Sequence, residues 1–311
     1  MAELQHRRLG ASGLEVSAVA LGSWRTYERM PREDGIAVMT AAREAGIDFL
    51  DDARYDDETG EAPIATGYSE VVFGELFRAS GWNRDEVAVS NKLWWEFWPE
   101  QSAAEEIEGS LGRMGLDHLD LVYSERPPEG LAVSDVVEAV TDLIAAGKAR
   151  AWGVLNWESG QVAEAGRIAR AEGLPVPCAA QLPYSLVSRS RVEDQAMVAA
   201  LESLDASVVA SAVLAFGALT GRGRTGRAGK VPDDPFWQKA FEVGDALRYL
   251  AAELDTSAVR LAIAFALANP RVATVLFGAS RPDQVRENVG ALELFQRLTD
   301  AELDELRSLA A

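Results

Sequence analysis

The sequence predicts an α/β fold: a (β/α)8 TIM barrel with an N-terminal hairpin and extra C-terminal helices, in one domain over residues 1–311. Three observations predict it. Eight short apolar runs alternate with amphipathic stretches. Successive runs mostly recur at roughly 30 residues, the size of one βα unit. A barrel of this kind takes about 250 residues, which leaves only modest extensions. The competing arrangement is an open doubly wound sheet. Its dinucleotide-binding form should carry G-x-G-x-x-G after the first strand, whereas Gly22 is followed by SWRTYERM.

The elements follow in order. RRLGASGLEVS (7–17) reads as a hairpin with a glycine-containing turn, placed to cover one end of the barrel. The apolar runs 16–21, 47–50, 87–90, 119–123, 151–154, 179–182, 208–213 and 272–277 are the strand candidates. DGIAVMTAAREAG (34–46) has helical apolar spacing and a glycine stop. SEVVFGELFRAS (69–80) offers Ser69 as an N-cap and Glu70 as a first-turn acid. Stretches 102–115, 133–148, 158–173 and 257–270 read as helices in the same way. A loop with an extra helix (221–254) and a terminal helix (299–311) take up the surplus length. GRGRTGRAGK (221–230) reads as a loop over the barrel mouth, with a lid over cofactor or substrate as its functional version.

Composition narrows the functions. The net charge of −19, from 30 basic and 49 acidic residues, argues against nucleic acid and anionic membrane as partners. No apolar run reaches the ~18 residues of a membrane helix, and the N-terminus has no secretory core, so a cytoplasmic location is expected. A single cysteine, Cys178, excludes an intrachain disulfide. With only two histidines, His6 and His118, a Ser-His-Asp triad and a zinc centre are both disfavoured, and no metal is expected. Acid–base work then falls to Tyr, Lys, Asp or Glu.

In such a barrel, polar residues at the C-terminal strand ends face the active site. FLDDARY brings Asp51, Asp52 and Tyr55, VSNKLWW brings Asn91 and Lys92, and the strand at 119–123 ends at Glu125. An ammonium beside a phenol favours the phenolate and would lower the Tyr pKa, with an Asp holding the Lys in place. Together these form a proton donor for a carbonyl oxygen, although each alone reads equally well as a satisfied strand-end charge. On the opposite side, Gly278 and Ser280 lead into a helix with Pro282 near its start. With Arg281 this is an anion site, or simply an N-cap. Asn156 and Gln181 offer hydrogen bonds to an amide. Trp24, Trp94, Trp95, Trp98 and Trp157 follow strand ends and suggest an aromatic substrate mouth, with Trp24, Trp94 and Trp157 the candidate substrate contacts.

The residues resemble the aldo-keto reductases. The likeness covers essentially the whole chain, through LGASGLEVSAVALGSW, AGIDFLDDARY, VSNKLWW, DLVYSERP, GVLNW, LTGR and, most specifically, GASRPDQVREN. The RP after Glu125 and the GAS…Q…EN pattern are most similar to the branch that holds potassium-channel β subunits and related bacterial reductases. The resemblance implies an NADP(H)-dependent enzyme acting on a carbonyl or alcohol of a small molecule, or else a nucleotide-binding sensor with little turnover. It implies catalytic roles for Asp51, Tyr55 and Lys92, and nicotinamide contacts by Asn156 and Gln181. Ser280 and Arg281 would meet the 2′-phosphate, and Gln284, Glu287 and Asn288 the adenosine. Gly22, Ser23, Ser211 and Gly278 would complete the cofactor site.

The chain departs from the family in places. Asp51 to Tyr55 is one position shorter than usual and an insertion follows, so Tyr68 is the alternative proton donor. Glu125 stands where the family usually has His. It reads as a paired structural carboxylate, as a partner of Lys92, or as a neutral acid facing substrate. In the last case it would favour enones or cyclic substrates, because Glu here marks the family's ketosteroid 5β-reductases.

Overall fold

Two antiparallel strands come first, β1 (His6–Arg8) and β2 (Glu15–Ser17), with Arg7 opposite Val16. The computed structural model describes residues 4–221 and 234–310. Beyond the hairpin the chain forms β3 (Val19–Gly22), β4 (Phe49–Asp51), β5 (Ala88–Leu93) and β6 (Leu119–Ser124). It continues with β7 (Ala149–Leu155), β8 (Ala179–Pro183), β9 (Ser207–Ser211) and β10 (Val272–Phe277). These eight strands close in sequence order, with β10 pairing back onto β3, and every pairing is parallel. The (β/α)8 barrel expected from the sequence is the fold observed.

Helices fill the crossovers: α1 (Arg32–Glu44), α2 (Tyr68–Ala79), α3 (Ala103–Met114), α4 (Val133–Ala145) and α5 (Ser159–Glu172) follow β3 to β7 in turn. After β8 come α6 (Ser190–Glu193) and α7 (Gln195–Leu204), and after β9 come α8 (Pro235–Glu253) and α9 (Ala258–Leu267). The chain ends with α10 (Pro282–Val289), α11 (Ala291–Arg297) and α12 (Asp300–Ser308). Capping boxes start α3 at Ser102 and α12 at Thr299, which satisfies backbone donors that the first turn leaves free.

Parallel strands buried on both faces need apolar residues at nearly every position, and all of β6 and β10 is buried. Alternation then sorts the side chains. Leu121 and Tyr123 of β6 join Phe49, Leu155 and Val209 inside the barrel, while Val122 packs outward with the helix residues Val136 and Val140. Leu9 and Val16 of the hairpin belong to the interior cluster, so the hairpin plugs that end. Gly10 makes this possible: at φ +53, a Cβ there would sit 2.1 Å from the Cys178 carbonyl.

Several boundaries differ from expectation. The run 16–21 is split between the hairpin and the barrel, because Ala18 N–H bonds Gln5 O at 2.8 Å while the next residues pair with β10. The run 208–213 stops at Ser211, where Ala212 turns to φ +50. Ser69 is not the N-cap of α2. Gly67, at φ +79, holds that position, and the Ser69 hydroxyl donates to Ala53 O at 2.7 Å. The expected lid at 221–230 lies outside the described residues beyond Gly221. No helix among the described residues is long and apolar enough to cross a membrane.

Candidate active site

The C-terminal strand ends surround a cavity of ≈ 530 Å³ that runs from the end of β4 across the barrel mouth to the start of α10. One wall carries Asp51, Tyr55, Lys92 and Trp94. Lys92 projects inward from β5, and its ammonium lies 2.5 Å from Asp51 Oδ2 and donates to the Asp52 carbonyl at 2.8 Å. Asp51 Oδ1 accepts from Ser90 Oγ at 2.6 Å and from Gln181 Nε2 at 3.2 Å, which ties β4 to β8 across the barrel. Asn91, one residue earlier on β5, faces the other way. Its amide donates to the buried Glu70 at 2.8 Å, so alternation removes it from the cavity.

Tyr55 lines the cavity, and its ring lies 6.2 Å from that of Trp94. Its phenol is pushed well above its ordinary value, first by burial and then by the charges of Asp51, Asp52 and Glu28. The neighbouring Ser23 hydroxyl opposes the shift only in part. This corrects the expected lowering by Lys92, whose ammonium is committed to Asp51 and the Asp52 carbonyl. Tyr68, the alternative donor, begins α2, and its hydroxyl accepts from Arg32 at 2.9 Å; it does not line the cavity.

Across the mouth, Gly22, Asn156, Gln181 and Ser211 line the middle of the cavity. Asn156 sits at φ +60, a left-handed turn that Asn tolerates better than most residues. The far end is formed by Gly278, Ser280, Gln284, Glu287 and Asn288 around the first turns of α10. Ser280 is held there by Gln284, whose Oε1 accepts from the Ser280 backbone N–H at 2.7 Å and from its hydroxyl at 3.1 Å. Arg281 is exposed on the rim and pairs with Asp283 through Nε at 3.0 Å and Nη2 at 3.1 Å. This pairing holds the guanidinium above and the Asp283 carboxyl below their ordinary values.

Besides Arg281, three expected site residues do not line the cavity. Ser23 is buried behind the cavity wall and donates to Asp52 Oδ1. Trp157 is fully buried and packs edge-on against Trp152, with ring centroids 6.4 Å apart, because the chain turns inward after β7. Glu125 does not line the cavity. Its Oε1 accepts from the Arg126 N–H at 3.0 Å and its Oε2 from Asn156 Nδ2 at 3.1 Å, so both oxygens are engaged by the chain itself.

The cavity mouth also contains residues the sequence did not single out. Val213, Leu214 and Phe216 form an apolar wall on the segment after β9, and the Phe216 ring meets Trp24 edge-on at 5.4 Å. Phe216 reaches this place through a backbone at φ +56, a conformation with no signature in its sequence neighbourhood. The Trp94 backbone N–H donates to the buried Glu106 at 2.8 Å, which fixes the chain at this point. Among the described residues no cluster of three or more His, Cys, Asp or Glu is placed to hold a metal ion.

Chemically, the site offers a phenol and a buried ammonium–carboxylate pair at one end, two side-chain amides and a hydroxyl in the middle, and a helix start with polar side chains at the other. This set fits an elongated ligand with an amide-bearing head and an anionic or polar tail. The model of the Aldo/keto reductase family matches residues 18–311. Among curated proteins, the chain is 31% identical to a "Probable voltage-gated potassium channel subunit beta" of Oryza sativa subsp. japonica, over 98% of this chain and 96% of that one. It is 28% identical to a protein of the same description from Arabidopsis thaliana, with the same coverage of 98% and 96%.

Proposed function

The chain belongs to the aldo/keto reductase family, and from that premise we propose that it is an NADP(H)-dependent oxidoreductase acting on a carbonyl or alcohol of a small organic molecule. The observation that carries this reading is the continuous cavity joining Tyr55, Lys92 and Asp51 to Asn156, Gln181, Ser211 and the start of α10. In this reading Asn156, Gln181 and Ser211 hold the nicotinamide amide, Gln284, Glu287 and Asn288 hold the adenosine, and Ser280 with Arg281 meets the 2′-phosphate. When bound, the nicotinamide would supply or accept the hydride. Tyr55 donates its proton to the carbonyl oxygen, or accepts one from the alcohol. Asp51 fixes the Lys92 ammonium near that oxygen, where its charge favours the developing alkoxide.

Trp24, Trp94, Leu214 and Phe216 exclude water and suit flat, apolar carbonyl compounds. Glu125 enters this reading through Asn156 rather than through the substrate, so an enone or cyclic preference is the narrower form of the proposal. A cytosolic enzyme fits this chemistry. A second reading, a nucleotide-binding regulatory subunit with little turnover, draws on the likeness to the two plant proteins described as probable potassium channel β subunits.

The test is NADPH oxidation over a panel of aromatic aldehydes, ring ketones, quinones and enones, with Tyr55→Phe as control. Turnover that collapses in Tyr55→Phe supports the enzyme. Tight NADPH binding with no turnover on any member supports the regulatory subunit.

A further inference from the structure

The insertion that follows Tyr55 forms a loop with its own internal framework. An antiparallel bridge between Asp56 and Thr66 closes its base, where the Asp57 N–H donates to Ala65 O and the Gly67 N–H to Tyr55 O, both at 2.8 Å. Asp57 closes the turn, accepting from the Thr59 hydroxyl at 2.6 Å and from the Ala62 N–H at 3.1 Å. Arg54, buried just before Tyr55, donates to Thr66 Oγ1 at 2.8 Å and to Glu96 at 2.7 Å. A loop packed in this way presents its side chains from a fixed backbone.

Glu58 is the side chain of this loop that reaches across to the β3–α1 connection. Its Oε1 accepts from Arg25 Nη2 and its Oε2 from Arg29 Nη2, each at 2.5 Å. Arg29 Nε also donates to Glu28 at 3.2 Å, so Glu28, Arg29, Glu58 and Arg25 alternate in sign. Arg25 stands at φ +50, a left-handed backbone that is costly for a residue with a Cβ. There its guanidinium lies over the ring of the preceding Trp24, with Cζ 4.7 Å from the centroid. Trp24 lines the cavity and meets Phe216 edge-on. Glu58 is therefore two contacts from the cavity wall, through the Arg25 guanidinium to the Trp24 indole.

We propose that Glu58 sets the substrate shape: it holds Arg25 against Trp24, and the indole then stands as a fixed wall that favours flat aromatic carbonyl compounds over branched ones. The inference rests on the reading of the cavity as a carbonyl site. Glu58 touches neither substrate nor cofactor and is a positioning residue. A guanidinium bonded to a carboxylate keeps its plane and loses the rotamers that would carry it off the indole. A flat ring gains from an indole only in an offset or edge-on arrangement, so a fixed indole selects for flat partners. Holding the loop itself is not the function of these pairs. Exposed ion pairs contribute little stability, and Arg54 with the loop's own hydrogen bonds fixes the insertion without them.

The experiment uses the full chain, the variants Glu58→Gln and Arg25→Met, and the double variant. The readout is the ratio of kcat/KM for naphthaldehyde to that for pivaldehyde, with NADPH as reductant. Wild type should favour the flat aldehyde. Each single variant should narrow the ratio roughly two- to fivefold, the worth of one cation–π contact at a half-exposed site, mainly through KM. The double variant should match Arg25→Met, because Glu58 acts through Arg25. Raising the salt from about 0.05 M to about 0.5 M should narrow the wild-type ratio and leave that of Glu58→Gln unchanged, since exposed charges are screened. An unchanged ratio in folded Glu58→Gln, an equal loss for both aldehydes, or additive effects in the double variant overturns the proposal. A wild type that turns over neither aldehyde overturns the reading on which it rests, and the proposal with it.

Discussion

The Asn156 side-chain amide donates to Glu125 Oε2 at 3.1 Å, so the residue after β7 is held by the residue after β6. Asn156 sits at φ +60 and lines the cavity, whereas Glu125 does not. Glu125 therefore sets the direction of the Asn156 amide.

Glu125→Ala should weaken NADPH binding by the worth of one hydrogen bond, about 0.5–1.5 kcal/mol or roughly two- to tenfold. The loss should be the same whichever carbonyl substrate is used. Fluorescence titration with NADPH checks the first point and paired kcat/KM values for an aldehyde and an enone check the second. A loss confined to the enone would place Glu125 on the substrate instead.

Tyr55→Phe should lower kcat by about 10²–10⁴ while NADPH still binds. Tyr68→Phe should stay close to wild type, because among the described residues that hydroxyl bonds Arg32, between α1 and α2. Steady-state kinetics of the two variants decide between the two tyrosines.

Lys92→Met leaves Asp51 buried with its Ser90 and Gln181 hydrogen bonds but no cation. Breaking a buried pair on one side costs about 3–5 kcal/mol. Combining it with Asp51→Asn should recover part of that stability but none of the activity. Urea unfolding of the single and double variants measures the coupling.

The Asp52 carboxyl is raised to about 8 in the folded chain, above its ordinary value. The folded state then binds more protons than the unfolded state between those values. The contribution to stability is full at acid pH and is lost as pH rises through about 8. Asp52→Asn removes this loss. Its Tm relative to wild type should therefore be higher at pH 9 than at pH 5, by calorimetry in matched salt. A difference that does not change with pH would contradict the assignment.

Arg281→Ala should weaken NADPH binding by roughly 10–100-fold, the worth of a charge-assisted hydrogen bond, and barely alter NADH. Asp283→Asn should act in the opposite direction, because Arg281 is bound to Asp283 and a phosphate would have to compete for it. Isothermal titration with both nucleotides at two salt concentrations separates these effects, since exposed charges are screened.

The sequence by itself determined the barrel and most of the cavity wall. Eight apolar runs at βα spacing leave few other ways to bury parallel strands on both faces, and the strand-end positions of Asp51, Lys92, Gln181 and Ser211 follow from it. The start of α10 was legible too, because Gly278, Ser280 and Pro282 are local signals. Tertiary structure alone decided which polar groups meet. Asn91 meets Glu70 of α2 and Lys92 meets Asp51 of β4, partners that lie far away in sequence. Trp157 turns into the core while Phe216 comes into the cavity, through backbone conformations that no periodic pattern encodes. The partners of Glu125 and Asp52 are Asn156 and Ser23, and each pair is separated by about 30 positions. Local sequence sets strand, helix and face. Hydrogen bonds between different strand ends exist only after the barrel has closed.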